Sequence, residues 1–210
     1  MTASTPPSAR DPVPPPMRRR WILPVLVITV TLLALAIAAL LLFMPASRQG
    51  AGGSVGGPFA LTAHDGSTFT HEALKGAPFT VFFGFTHCPD ICPAALTEMS
   101  AVLEAAGQRG ERLRALFVTI DPERDTREVL ADYISNFDKR IVALTGTREQ
   151  IDAMARQYRA YHRKVPLKDN DYTMDHTAAV YLMDRNGRFV KTLDLKRPPE
   201  VVAREWLSLL

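Results

Sequence analysis

A chain of 210 residues, 47% hydrophobic and 22% charged, is long enough for one domain plus additional segments. Its net charge of +3 is matched by the first 20 residues alone, which hold four arginines against one aspartate. The remainder is formally neutral, which argues against a nucleic-acid-binding domain.

Residues 1–20 are rich in proline, serine and arginine and end in Arg18-Arg19-Arg20. This composition predicts a disordered arm. Trp21 to Met44 is a run of 24 residues without a charge. As a helix it would be about 36 Å long, enough to cross a hydrocarbon core of about 30 Å. Three arginines on one flank, against Arg48 on the other, predict a cytoplasmic N-terminus and an exported C-terminal part. A cleaved signal peptide is the rival reading, but its apolar region is usually only about 7–15 residues. Residues 45–57, rich in glycine, read as a flexible linker. The domain proper is expected over 58–210. No pattern of an organelle transit peptide is evident, which favours a bacterial inner membrane over a mitochondrial one.

Within the domain, Phe59–Thr62 and Ser67–Thr70 flank Asp65-Gly66, a hairpin signal. An apolar strand is predicted at 80–85 and a helix over 93–106, stopped by Gly107. Leu113–Ile120 reads as a second buried strand. Asp125-Thr126-Arg127-Glu128 has capping-box spacing with Asp125 as the cap, opening a helix to about Asn136. A short strand, Ile141–Leu144, precedes a second capping box, Thr147–Gln150, and a helix through about Tyr161. Lys164–Thr173 reads as a polar loop. Ala178–Met183 and Arg188–Leu193 form a closing hairpin, and a last helix begins near Pro199. Strands alternating with helices imply an α/β, thioredoxin-like fold, with a mostly parallel central sheet and helices on both faces.

The two cysteines of the chain, Cys88 and Cys92, stand four positions apart between that first strand and its helix. Each precedes a proline, which disfavours helical backbone at the cysteine. Pro93 suits the first helical position, so Cys92 is expected at the N-cap. The helix dipole there favours thiolate over thiol. Three readings of the pair stand open: a structural disulfide, a dithiol redox centre, and a soft-metal site. So short a loop removes little unfolded-state entropy, which weighs against the first.

Five histidines are present. His64 and His71 read as surface residues, His162 as a solvated residue after a helix end, and His87 as a partly buried packing or hydrogen-bonding residue. His176 stands apart, just ahead of a core strand whose preceding loop faces the cysteine turn in a thioredoxin-like sheet. A plain thioredoxin-like oxidoreductase usually carries a proline at that place. This chain has none between Pro166 and Pro198, which shifts the balance towards metal binding.

The run Gly84-Phe85-Thr86-His87-Cys88-Pro89-Asp90-Ile91-Cys92-Pro93 resembles the Sco/SenC family of membrane-anchored copper-binding proteins. So do Asp121–Thr126 and Asp175-His176-Thr177. The resemblance covers about 58–210. It implies that Cys88, Cys92 and His176 are ligands for Cu(I) and Cu(II). It also implies delivery of copper to, or thiol-redox preparation of, the CuA centre of cytochrome c oxidase subunit II. A thiol-disulfide oxidoreductase acting on an oxidase subunit, or a redox sensor, is the alternative. Only reduced cysteines coordinate metal, so a thiol reductant of thioredoxin type is implied as a further partner. Beside the three ligands, Asp90 is expected to tune the sulfurs, contact a partner, or simply cap the turn. Asp175 is a candidate acceptor orienting His176. Asp121–Thr126 reads as a structural segment beside the site. The oligomeric state is not set by these features.

Overall fold

Strand β3 (Phe79–Gly84) is buried at all six positions and lies inside a sheet of seven strands. In the computed structural model, residues 22–43 and 55–210 are described. The arm, Trp21, Met44 and most of the expected linker lie outside them. Helix α1 (Ile22–Phe43) has 22 residues, or about 33 Å at 1.5 Å per residue. Its side chains are described over 24–37. Among the residues so described, no helix is long and apolar enough to cross a membrane. Helix α1 and the unit that begins at residue 52 are separate compact units.

The domain starts with hairpin β1 (Ala60–Ala63) and β2 (Thr68–Thr70). At its turn Gly66 takes φ 88°, and the Asp65 carboxylate accepts from the Ser67 N–H and hydroxyl. Then follow β3, α2 (Ile91–Ala106), β4 (Arg114–Thr119), α3 (Arg127–Ile134), β5 (Ile141–Thr145) and α4 (Arg148–Gln157). The chain continues through β6 (His162–Pro166), β7 (Tyr172–His176), β8 (Val180–Met183), β9 (Phe189–Leu193) and α5 (Pro199–Leu207).

The strand order β2-β1-β5-β4-β3-β8-β9 differs from the mostly parallel sheet expected. Only β3–β4 and β4–β5 are parallel, and the other four pairings are antiparallel. The sheet is mixed because two hairpins, β1–β2 and β8–β9, extend the parallel centre at its two sides. Helices do cover both faces. Side chains alternate along β3: Phe82 meets Phe117, which meets Tyr133 of α3, while Phe83 meets Tyr158 at the end of α4. Helix α5 packs against α2.

Three local expectations are corrected. Helix α2 begins at Ile91 with Asp90 at the N-cap, so Cys92 lies inside the first turn. Pro93 is tolerated there because the first turn's N–H groups have no intrahelical acceptor. Helix α3 is capped by Thr126, whose hydroxyl accepts from the Val129 N–H, and not by Asp125. Helix α4 stops at Gln157 rather than Tyr161. Arg159 turns left-handed (φ 54°), and the Ala160 N–H reaches back to the Ala155 carbonyl. That is a Schellman stop without the glycine that would announce it in sequence.

The largest departure is at Lys164–Thr173. Its ends belong to strands β6 and β7, which pair only with each other among the described strands and form a second, two-stranded sheet. The sequence there is polar because this hairpin lies outside the main sheet.

The capping box at Thr147 forms as expected, with reciprocal bonds between Thr147 and Gln150. Thr147→Ala should lower stability by about 1 kcal/mol, measured as a shift of the urea midpoint without change of slope.

Candidate metal centre

The C-terminal end of β3 sets the site. Phe82 and Gly84 lie on the same face, and Gly84 is followed by the loop that carries Cys88 and leads into the first turn of α2, which carries Cys92. A Cβ at Gly84 would lie 2.6 Å from Phe117 Cε2 and 2.9 Å from Cys92 Sγ. The absent side chain is therefore the space that the sulfur fills. Cys92 is fully buried and Cys88 partly so, and both are free thiols. The Cys92 N–H, one of the orphan donors of the α2 first turn, points at Cys88 Sγ at 3.4 Å.

The loop is held from below by Asp125. This carboxylate is fully buried. It accepts from the Thr86 N–H (3.0 Å), the Thr86 hydroxyl (2.6 Å) and the Thr119 hydroxyl (2.6 Å). Three donors at a buried acceptor satisfy the charge that burial would otherwise make costly. Thr119 ends β4 and Thr86 follows β3, so one carboxylate ties two parallel strand ends together just ahead of Cys88.

His176 comes from the other sheet, at the end of β7. Its ring stands edge-on to Phe82 and Phe85, with centroids 6.3 and 5.8 Å apart. Nδ1 lies 3.2 Å from the Thr177 carbonyl. A carbonyl only accepts, so this bond puts the proton on Nδ1 and leaves the Nε2 lone pair facing the sulfurs. Nε2 is 3.8 Å from Cys92 Sγ. The donor atoms of Cys88, Cys92 and His176 all lie within 4.8 Å of one another.

Electrostatics at the site differ from the sequence expectation of a thiolate. Burial pushes the Cys92 thiol far above its ordinary range, and a hydrogen bond to the Phe85 backbone offsets only part of this. Desolvation outweighs the helix dipole, and without metal this sulfur carries its proton. Burial also holds the His176 imidazole below its usual value, with the Thr177 carbonyl opposing. The ring is therefore neutral near pH 7.

The remaining sequence candidates fall elsewhere. Asp175 does not orient His176. Neighbouring residues of a strand face opposite sides, and its exposed carboxylate pairs with Arg163 at 3.0 Å. The Thr177 carbonyl takes the role instead. Asp90 occupies the N-cap of α2, exposed and without a side-chain capping bond. His87 is about half exposed rather than packed, with Nδ1 3.1 Å from the Thr86 hydroxyl. His162 is not solvated; it stands opposite His176 in the β6–β7 register, near Asp152 at 3.2 Å. His64 is partly buried, and its ring accepts from the Ala143 N–H. Asp125, Thr86, Thr119 and Gly84 were not singled out from sequence as residues that build the site. In sequence Asp125 stands in a capping pattern, which points to the wrong role, and within the 121–126 segment that carries the family resemblance, which reads as structural and beside the site.

Fold and donor set together define a thioredoxin-like α/β domain carrying a two-sulfur, one-imidazole group suited to soft metals. Known proteins agree. The SCO1/SenC family model matches residues 47–210. The chain is 46% identical over 139 residues to mouse mitochondrial SCO1 homolog, covering 65% of this chain and 49% of that protein. It is 36% identical over 157 residues to the SCO2-like protein RP587 of Rickettsia prowazekii, covering 74% and 75%. It thus spans about half the length of its mammalian relatives. Among solved structures, Bradyrhizobium japonicum ScoI with copper bound superimposes with a TM-score of 0.73 at 48% identity, over 75% of this chain and all of that one. Yeast Sco1 with copper bound gives 0.67 at 36%, over 74% and 88%. The chain belongs to the SCO1/SenC family.

Two outcomes test this geometry. In the reduced chain Cys88, being partly exposed, should be alkylated well before buried Cys92, as peptide mass spectrometry would read. Gly84→Ala should overpack the contact with Phe117 and Cys92, costing about 1–3 kcal/mol and raising the alkylation rate of Cys92.

Proposed function

We propose that this protein is a membrane-tethered copper chaperone that binds Cu(I) or Cu(II) through Cys88, Cys92 and His176. Its role would be to deliver copper to, or prepare, the CuA centre of cytochrome c oxidase subunit II. The observation that carries the reading is the convergence of two sulfurs and an unprotonated Nε2, within 4.8 Å, in a fold shared with copper-bound relatives. Cu(I) favours few, soft donors, and two thiolates with one imidazole supply them. Copper here is cargo, so the site has to release it as well as hold it. A half-open cluster with one partly exposed sulfur suits exchange with an acceptor's own thiolates and imidazoles.

Loading displaces protons. Cys92 is a thiol without metal and must become a thiolate to coordinate, so its proton leaves as the ion enters. The cysteines must also be reduced first. Opening a Cys88–Cys92 disulfide takes two electrons and two protons, supplied in this reading by a dithiol of thioredoxin type. On the membrane side, α1 would be the core of a single span over 21–44, with Arg18-Arg19-Arg20 holding the N-terminus in the cytoplasm. The Thr29 and Thr31 hydroxyls donate back to carbonyls one turn earlier, so they would carry no unmet donor into lipid. The domain at 58–210, beyond a linker at 45–57, would then face the periplasm of a bacterial inner membrane.

The full chain, reduced and titrated with Cu(I) against a chromophoric chelator, should bind one equivalent. Cys88→Ser and Cys92→Ser should each abolish competitive binding, and His176→Ala should weaken it by at least tenfold, about 1.4 kcal/mol. Because loading releases the Cys92 proton, apparent affinity should rise with pH, by about tenfold per unit or more between pH 6 and 9. A flat pH profile, or undiminished binding in the cysteine variants, would remove the copper reading. Turnover of a protein disulfide that survives His176→Ala would favour the oxidoreductase instead.

A further inference from the structure

His176 reaches the cysteines from a hairpin outside the main sheet, so something other than β-ladder bonds must hold it there. Along β7, Tyr172, Met174 and His176 share one face. Met174 is buried in the core, and Tyr172 packs against it. Tyr172 is also the meeting point of a polar cluster built by the segment between β4 and α3. Its hydroxyl donates to Asp121 Oδ1 at 2.9 Å, and Asp121 is fully buried. The other Asp121 oxygen accepts from Arg124 Nε at 2.6 Å. Arg124 Nη1 donates to the Tyr172 carbonyl at 2.9 Å and to Asp171 at 3.3 Å, and the guanidinium lies 3.8 Å over the Tyr172 ring. From the other arm of the hairpin, Lys164 approaches the same ring and pairs with Glu123, which Arg148 of α4 also holds.

We propose that Asp121, Arg124 and Tyr172 form a latch that positions His176 against the two sulfurs. The same segment, residues 121–126, carries Asp125, which fixes the cysteine loop through Thr86. Both halves of the site are thus referenced to one short stretch of chain, and the distance between imidazole and sulfur depends on it. Tyr172 acts through His176 and does not itself touch the donor group. Burial and the adjacent carboxylate push its phenol up to about 12, so the hydroxyl remains a donor over the whole working range. The latch deepens the copper reading and rests on it for its function, but its mechanical content does not need a metal.

Tyr172→Phe keeps the ring and removes only the bond to Asp121. In the metal-free full chain, amide exchange of β6 and β7 should accelerate by about tenfold or more while that of β3 is unchanged. With Cu(I) and a competing chelator, the same substitution should weaken affinity by about tenfold or more. In the His176→Ala background it should change affinity less than about twofold, since two residues acting through one another are not additive. Equal losses in both backgrounds, unchanged β7 exchange, or acceleration of β3 along with β7 would each overturn the latch. If the unsubstituted chain takes up no Cu(I), the functional reading fails, and exchange alone still decides whether the hairpin is held. Should Tyr172→Phe fail to fold, Arg124→Lys, which keeps the cation and loses the fork, carries both comparisons.

Discussion

The site depends on a buried carboxylate with every partner supplied. Asp125 has no solvent to satisfy it and accepts instead from the Thr86 N–H and the Thr86 and Thr119 hydroxyls. Hydrogen bonds to a charged acceptor contribute about 1.5–3 kcal/mol each. Losing the acceptor would also leave buried donors unpaired, so the arrangement is stiff. What it stiffens is the exit from β3, where an unanchored loop would let Cys88 wander relative to Cys92. A copper chaperone of the kind proposed would need its donors close together but not already bonded, and a rigid approach to a partly exposed turn meets both needs.

The three donors are prepared unequally. Cys92 is sunk against Gly84 and Phe117 and kept protonated by its own burial. Cys88 is partly open. His176 is neutral and already carries its proton on the nitrogen facing away, because the Thr177 carbonyl asks for it there. Metal-free, Cys92 and His176 are therefore both uncharged, and in the proposed copper reading the desolvation cost of the Cys92 thiolate would be deferred until a cation arrives to offset it. In that reading, retention of the ion would be coupled to proton release, which would give one pocket the means both to bind and to let go.

The architecture separates these tasks by element. The parallel centre of the sheet carries the cysteines on a strand-to-helix turn, where α/β folds place ligand sites. The two-stranded sheet carries the imidazole. Between them runs the 121–126 segment, bonded to both. Its two buried carboxylates, Asp121 and Asp125, each have their donors supplied, which is how a stretch that is charged in sequence can be partly buried, while Glu123 stays exposed and pairs with Arg148 and Lys164.

Much of this was legible in the residues alone. The apolar run before Cys88, the Asp65-Gly66 turn, the Thr147 capping box and the closing hairpin are local signals, set by side-chain periodicity, backbone preference and short-range hydrogen bonds, and they formed where expected. The Cys88, Cys92 and His176 trio was also recognisable as a pattern. Tertiary structure alone decided what that trio looks like and what holds it. The β6–β7 hairpin hid in a polar stretch because its stability comes from contacts with a distant loop rather than from its own alternation. Asp125 looked like a helix cap because its true partners lie 39 and 6 residues away. The raised Cys92 thiol could not be read from a helix N-terminus, since the dipole is a local property whereas desolvation is summed over everything the fold packs around the sulfur.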